Sequence, residues 1–162
     1  METIITIREI KPEDNVAIAQ IIRSCLAEFG ANKPGTVYFD PTTDALFELF
    51  RTQGSIYFVA SENDKLIGGG GIFPSQGLPT GTCELVKLYL VPEARGIGLG
   101  AALMKRCISA ARELNYNAIY IESMPELNKA VGLYESFGFT HLSGPLGNTG
   151  HFGCDIWMLK KL

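Results

Sequence analysis

The chain has 162 residues, of which 46% are apolar and 19% charged, with a formal charge of −3 at pH 7. That size fits one domain with a substantial core, and the composition argues against disorder and, through its acidic balance, against a nucleic-acid partner. Cys25, Cys83, Cys107 and Cys154 form neither a C-x-x-C pair nor a zinc-like cluster, so no metal site is expected; no secretory signal and no eighteen-residue apolar run is visible, so a cytoplasmic protein off the membrane is expected.

Residues 3–8 (TIITIR) are rich in β-branched side chains and read as a first strand. Lys11-Pro12-Glu13-Asp14 opens a helix, and Val16, Ile18, Ala19, Ile22 and Leu26 follow at roughly helical spacing as core positions. Residues 29–40 form a loop ending on Tyr38 and Phe39, which are expected to be exposed. Pro41 to Asp44 starts a second helix through Phe50 or Arg51, with Leu46, Leu49 and Phe50 inward. Two strands follow, Ser55 to Ser61 and Lys65 to Phe73, and the Asn63-Asp64 tip between them is good hairpin chemistry. The second strand contains Gly68-Gly69-Gly70-Gly71. Four glycines weaken a strand and point to a bulge or a very close backbone approach, serving either site shaping or packing alone.

After a loop over residues 74–81, an extended apolar run from Glu84 to Val91 leads through Pro92-Glu93-Ala94-Arg95 into glycines at 96, 98 and 100 and a helix over residues 98–114. A helix start leaves four backbone N–H groups unpaired and carries partial positive charge. Glycines remove the side chains that would hold a ligand away from those donors. Such a turn receives an anion, most simply a phosphate or pyrophosphate. No Gly-Lys-Ser/Thr follows, so it is not a P-loop. Gly96 to Ala101 fits the dinucleotide G-x-G-x-x-A pattern, with Glu122 near the expected acid, but too little chain follows for the βαβ repeats that a nicotinamide oxidoreductase needs.

The remainder reads as a buried strand from Ala118 to Glu122, a helix from Pro125 to about Phe137, and two strands in residues 138–162 around a loop from Gly144 to Gly150.

Arg95-Gly96-Ile97-Gly98-Leu99-Gly100 resembles the R/Q-x-x-G-x-G/A signature of the GNAT superfamily of acyl-CoA N-acyltransferases. Leu88 to Pro92 is similar to that family's strand before the pyrophosphate loop, and Ala130 to Phe139 to its A-x-x-L-Y-x-x-x-G-F segment. The resemblance implies one α/β (α+β) domain over residues 1–162, a GNAT-like fold with a central mixed, mostly antiparallel sheet of about seven strands flanked by about four helices. It also implies acetyl-CoA as co-substrate, held by Leu88, Tyr89, Leu90, Arg95, Gly96, Ile97, Gly98, Leu99 and Gly100. The acceptor would be a primary amine of a small molecule or peptide, the loop before the second helix would line its site with Tyr38 as a wall or a plain anchor, and a homodimer is allowed.

Acyl transfer to an amine needs an anchored donor, a polarised carbonyl and an uncharged nucleophile. A lysine-like amine with a pKa near 10.4 lies about 3.4 units from half deprotonation at pH 7, or roughly 4.6 kcal/mol, which makes a base worthwhile. Glu84 and Glu122 correspond to the glutamate bases of two branches of the family, and Tyr134 to the tyrosine that protonates the departing thiolate. Each has a structural alternative: strand-end carboxylates are commonly solvated or paired, and Tyr134 also fits an apolar helix face with Leu127, Ala130, Leu133 and Phe137. Leu127 stands where many family members carry a cofactor-binding asparagine, and Asn128 is turned about 100° from that position. His151 near Cys154 and Asp155 does not make a metal or nucleophile pattern by spacing, and a place in the substrate pocket is the alternative for His151. A fold kept as a catalytically inactive CoA-binding sensor or interaction module is the alternative to an enzyme.

Overall fold

A computed structural model describes residues 3–147 and 153–162. Its centre is a seven-stranded sheet in the order β1-β2-β3-β4-β5-β7-β6. These are Ile5–Glu9, Ile56–Glu62, Lys65–Phe73, Thr82–Leu90, Ala118–Ser123, Ile156–Lys161 and Thr140–His141 in that spatial order. Every pairing is antiparallel except β4 with β5, which is parallel. Helices α1 (Asn15–Glu28), α2 (Leu46–Leu49), α3 (Leu99–Glu113) and α4 (Asn128–Ser136) cover the faces.

Strand alternation divides the core into two apolar layers. Cys83 and Leu85 pack with Leu103, Met104 and Cys107 of α3, whereas Val86 packs with Ile18, Ile22 and Leu26 of α1. The sheet is thus buried on both sides, which the apolar runs in β4 and β5 require. Among the described residues, no helix is long and apolar enough to cross a membrane.

Two helical expectations are corrected. Val16 is 73% exposed, and the buried stripe of α1 is Ile18, Ala19, Ile21, Ile22, Cys25 and Leu26. Residues two apart on a helix do not share a face, so Val16 is out of phase with Ile18. The second helix is also shorter than expected. A 3-10 turn over Pro41–Ala45, capped by Asp40 on the Thr42 N–H, precedes a four-residue α2, and Leu49 is only half-buried.

The hairpin tip is as expected: Asn63 and Asp64 have φ of 50° and 68°, the left-handed pair that a tight hairpin turn needs. The glycine run is explained by crowding on both faces. A Cβ on Gly69 or Gly71 would lie 2.7 Å from the Tyr57 ring. On the other face, one on Gly70 would lie 2.7 Å from Leu88 Cδ1. Packing and site shaping are one fact here, because Tyr57 Oη of β2 reaches across β3 and donates to the Lys87 carbonyl of β4 at 2.7 Å.

Candidate active site

Strands β4 and β5 are paired only from Thr82–Ala118 to Glu84–Tyr120, although β4 runs on to Leu90 and β5 to Ser123. Where the pairing stops, a cleft of about 370 Å³ opens. Leu88, Tyr89 and Leu90 line one wall, and Ile121, Glu122 and Ser123 the other. The wall on β4 is irregular. Its register with β3 shifts between Gly69 opposite Tyr89 and Gly71 opposite Val86, so that Lys87 and Leu88 together face Gly70. This is a β-bulge, and Lys87 takes a φ of 55° within it.

At one end of the cleft lies the glycine turn. Gly96 and Gly98 have φ of 79° and 84°, and a Cβ at either would meet nothing within 4 Å. Gly98 is the N-cap of α3 with no side chain over the helix start. Gly96, Gly98 and Gly100 all line the cleft. Ile97 is 58% exposed and Leu99 is buried in the α3 core, and neither is among the residues that line the cleft.

Arg95 lines the cleft too, but its guanidinium is engaged elsewhere. It forms a bidentate pair with Glu28 at 2.6 and 3.1 Å, donates twice to the Leu90 carbonyl, and lies over the Phe29 ring. The Leu90 carbonyl also accepts from Cys25 Sγ at 3.1 Å. That carbonyl is therefore already engaged, and Arg95 fastens the glycine turn to the end of α1.

The three candidate proton handlers share the cleft. Glu84 is 2% exposed and accepts a hydrogen bond from Ser75 Oγ. Glu122 accepts from Tyr120 Oη at 2.8 Å, and that oxygen in turn accepts from the Leu146 N–H at 3.1 Å. Burial, then the bond to Glu122, pushes the Tyr120 phenol well up, so it stays a donor. Tyr134 is 6% exposed, its ring 6.1 Å from that of Phe139. Burial pushes its phenol well above the usual range, and among the described residues its hydroxyl has no hydrogen-bond partner. Leu127, Asn128 and Ala130 all line the cleft, so the helix entry faces it despite the displaced asparagine.

From the loop after α1 the cleft takes Thr36 and Val37, whereas Tyr38 packs against the α1–α2 layer as an anchor. His151 lies outside the described residues. Cys154 lines the cleft, its thiol pushed up to about 12 by burial, which makes it an inert wall at neutral pH. Two cleft residues had no signature in the sequence. Ser123 is 3% exposed, and its Oγ is the one side-chain oxygen or nitrogen sealed entirely from solvent that has no hydrogen bond among the described residues. Lys87 is 7% exposed in the same cleft, and only its place inside an apolar run marked it.

The fold and this cleft define a class, and the chain belongs to the acetyltransferase (GNAT) family, whose model matches residues 17–139. It is 40% identical over 157 residues to the uncharacterized N-acetyltransferase YjgM of Escherichia coli K12, covering 96% of this chain and 93% of that one. A GNAT-family acetyltransferase structure from Staphylococcus aureus Mu50 superposes with a TM-score of 0.86 at 19% identity, over 98% of this chain and 99% of that one. YncA from Salmonella typhimurium, a putative acetyltransferase solved with its cofactor acetyl-CoA, gives a TM-score of 0.76 at 22% identity, over 98% and 94% of the two chains.

Proposed function

We propose that this protein transfers the acetyl group of acetyl-CoA to a primary amine of a small molecule or peptide. The observation that carries the reading is the parted β4–β5 pair ending on a glycine turn with two left-handed glycines and open space above them. The residues fit the donor: backbone N–H groups at the start of α3 suit a diphosphate, and the orphaned Ser123 hydroxyl lies in the same cleft. The Salmonella neighbour, solved with acetyl-CoA, supports the same assignment. When bound, acetyl-CoA supplies an activated thioester. Gly96, Gly98 and Gly100 bear on its phosphates, with Ile97 and Leu99 contributing backbone and Arg95 holding the turn in place. Leu88, Tyr89 and Leu90 form the wall for its arm, and amide donors at a β-bulge are suited to polarising a carbonyl. Glu84 or Glu122 accepts the proton of the attacking amine, directly or through water. Tyr134 keeps its proton and can donate it to the departing sulfur.

Thiol release from acetyl-CoA against a diverse amine panel tests this, alongside the melting temperature with and without acetyl-CoA. The expected result is a stabilisation by acetyl-CoA and turnover of a subset of amines. Stabilisation with no turnover of any amine would leave a CoA sensor, and no stabilisation would remove the donor assignment.

A further inference from the structure

Lys87 is a buried cation of the cleft that the chemistry above leaves unused. Lysine is rarely buried to 7% exposure without a partner, because an unpaired ammonium loses its hydration. Among the described residues, Lys87 Nζ takes part in no ion pair and no hydrogen bond. Asp40 and Glu84 act on it only at longer range, and burial outweighs them to lower its pKa. The backbone beneath it is also unfavourable, since a φ of 55° is uncommon for a residue with a side chain. Two costs coincide at one residue that lines the cleft, the pattern expected of a functional position.

The bulge explains how the cation reaches that position. In a regular strand, residues three apart point to opposite faces, so Lys87 would face away from Glu84. The extra residue opposite Gly70 corrects the phase, and both side chains line the same cleft. The Tyr57 ring is seated over Gly69 and Gly71, and its Oη holds the Lys87 carbonyl and fixes the irregularity. One short stretch of β4 therefore presents a carboxylate and an ammonium to the same cleft. Leu88, Tyr89 and Leu90 separate this pair from the glycine turn, so the cation sits at the acceptor end of the wall, away from the phosphate cradle.

We propose that Lys87 binds a carboxylate carried by the acceptor, so that the amine acetylated here belongs to an amino acid or a similar zwitterionic compound. The acceptor's nitrogen lies towards Glu84 and its carboxylate towards Lys87, where three N–H donors meet the charge in a water-poor wall. This inference rests on the acyltransferase reading for its turnover, but its binding half stands without it.

The probes are L-amino acids and β-alanine, each paired with its own carboxamide. Binding to the coenzyme A-saturated protein is measured by calorimetry, and kcat/KM by thiol release. In the wild type, at least one acid should bind about tenfold or more tightly than its carboxamide, the size expected of a charge-assisted contact. In Lys87→Met and Lys87→Gln that preference should fall to roughly twofold or less, while coenzyme A affinity holds and the melting temperature stays level or rises, since a buried unpaired charge is gone. The proposal is overturned if no acid outbinds its amide in the wild type, or if the preference survives in either variant. Equal turnover of acids and amides refutes it while leaving the acetyltransferase intact. Lys87-dependent acid binding without turnover upholds it and removes the enzyme reading instead.

Discussion

Tyr134 is placed to keep its proton until something in the cleft asks for it. Its hydroxyl has no acceptor among the described residues, and burial disfavours the phenolate. Tyr134→Phe should lower kcat by about a hundredfold, the lower range for a positioned acid, with acetyl-CoA affinity unchanged. An unaltered kcat would make the tyrosine a packing residue. The two glutamates call for a different measurement. Gln at position 84 or 122 preserves the acceptor oxygen for Ser75 or Tyr120 while removing the base. Without a base the rate follows the free-amine fraction, rising about tenfold per pH unit up to the pKa of the acceptor itself. That steep profile should appear in one variant only and identifies the base; two unchanged profiles dismiss both residues. These three positions were legible because motif spacing fixes where a strand or helix presents a side chain. The pairing of Arg95 with Glu28 and the place of Lys87 were not, because a long side chain can leave in several directions and the four glycines marked a bulge without saying which β4 residue it turns.

The element that sets the site is the bulged β4, and glycines act on it in two distinct ways. Gly71 is crowded: a Cβ there would run into the β2 backbone at Ile56 and the Tyr57 ring. Gly96 is open: a Cβ meets nothing, but its φ of 79° disfavours any side chain. Gly71→Ala should therefore cost about 1–3 kcal/mol by overpacking, lowering the melting temperature by several degrees through the core. Gly96→Ala should cost only about 1 kcal/mol of backbone strain. Its larger effect should be on the donor, with acetyl-CoA affinity reduced at least about tenfold, because the new methyl occupies the phosphate cradle. Calorimetric titration beside a thermal melt separates the two, and a Gly96→Ala protein that binds acetyl-CoA like the wild type rules out the cradle. The strand and helix order followed from apolar periodicity and turn residues, and the Asn63-Asp64 hairpin from its tip. Val16 and the length of the second helix did not. Val16 fails on helical phase, lying two residues from Ile18, whereas the break at Ala45 (φ −135°, ψ 47°) has no marker in the sequence.

At the scale of the whole molecule, the cleft requires α1 to stay against the sheet while β4 and β5 stay apart. Glu28 at the end of α1 holds Arg95, and Lys33 just beyond pairs with Glu126 before α4, so the same segment reaches both lips of the cleft. Exposed pairs of this kind contribute little each. The start of α1 is fastened more firmly. Asp14, 5% exposed, accepts from Arg8 of β1 at 2.7 and 3.0 Å and from the Lys11 N–H at 2.7 Å. Burial alone would raise its pKa; the Arg8 guanidinium and the Lys11 N–H outweigh that and hold the carboxyl below its usual range. A carboxyl lowered in the folded state stabilises fully above its unfolded value near 3.9, and that contribution disappears as pH falls through the folded value. Asp14→Asn should cost about 1–2 kcal/mol at pH 7, less than a fully buried pair because Arg8 is partly open to solvent. The melting temperature should drop by about 2–4 °C per kcal/mol. The gap between wild type and variant should then narrow steadily as pH falls below about 4. A gap of equal size at pH 3 and pH 7 would mean that the carboxylate acts by shape rather than charge. In that case the sheet and α1 would be joined by packing alone.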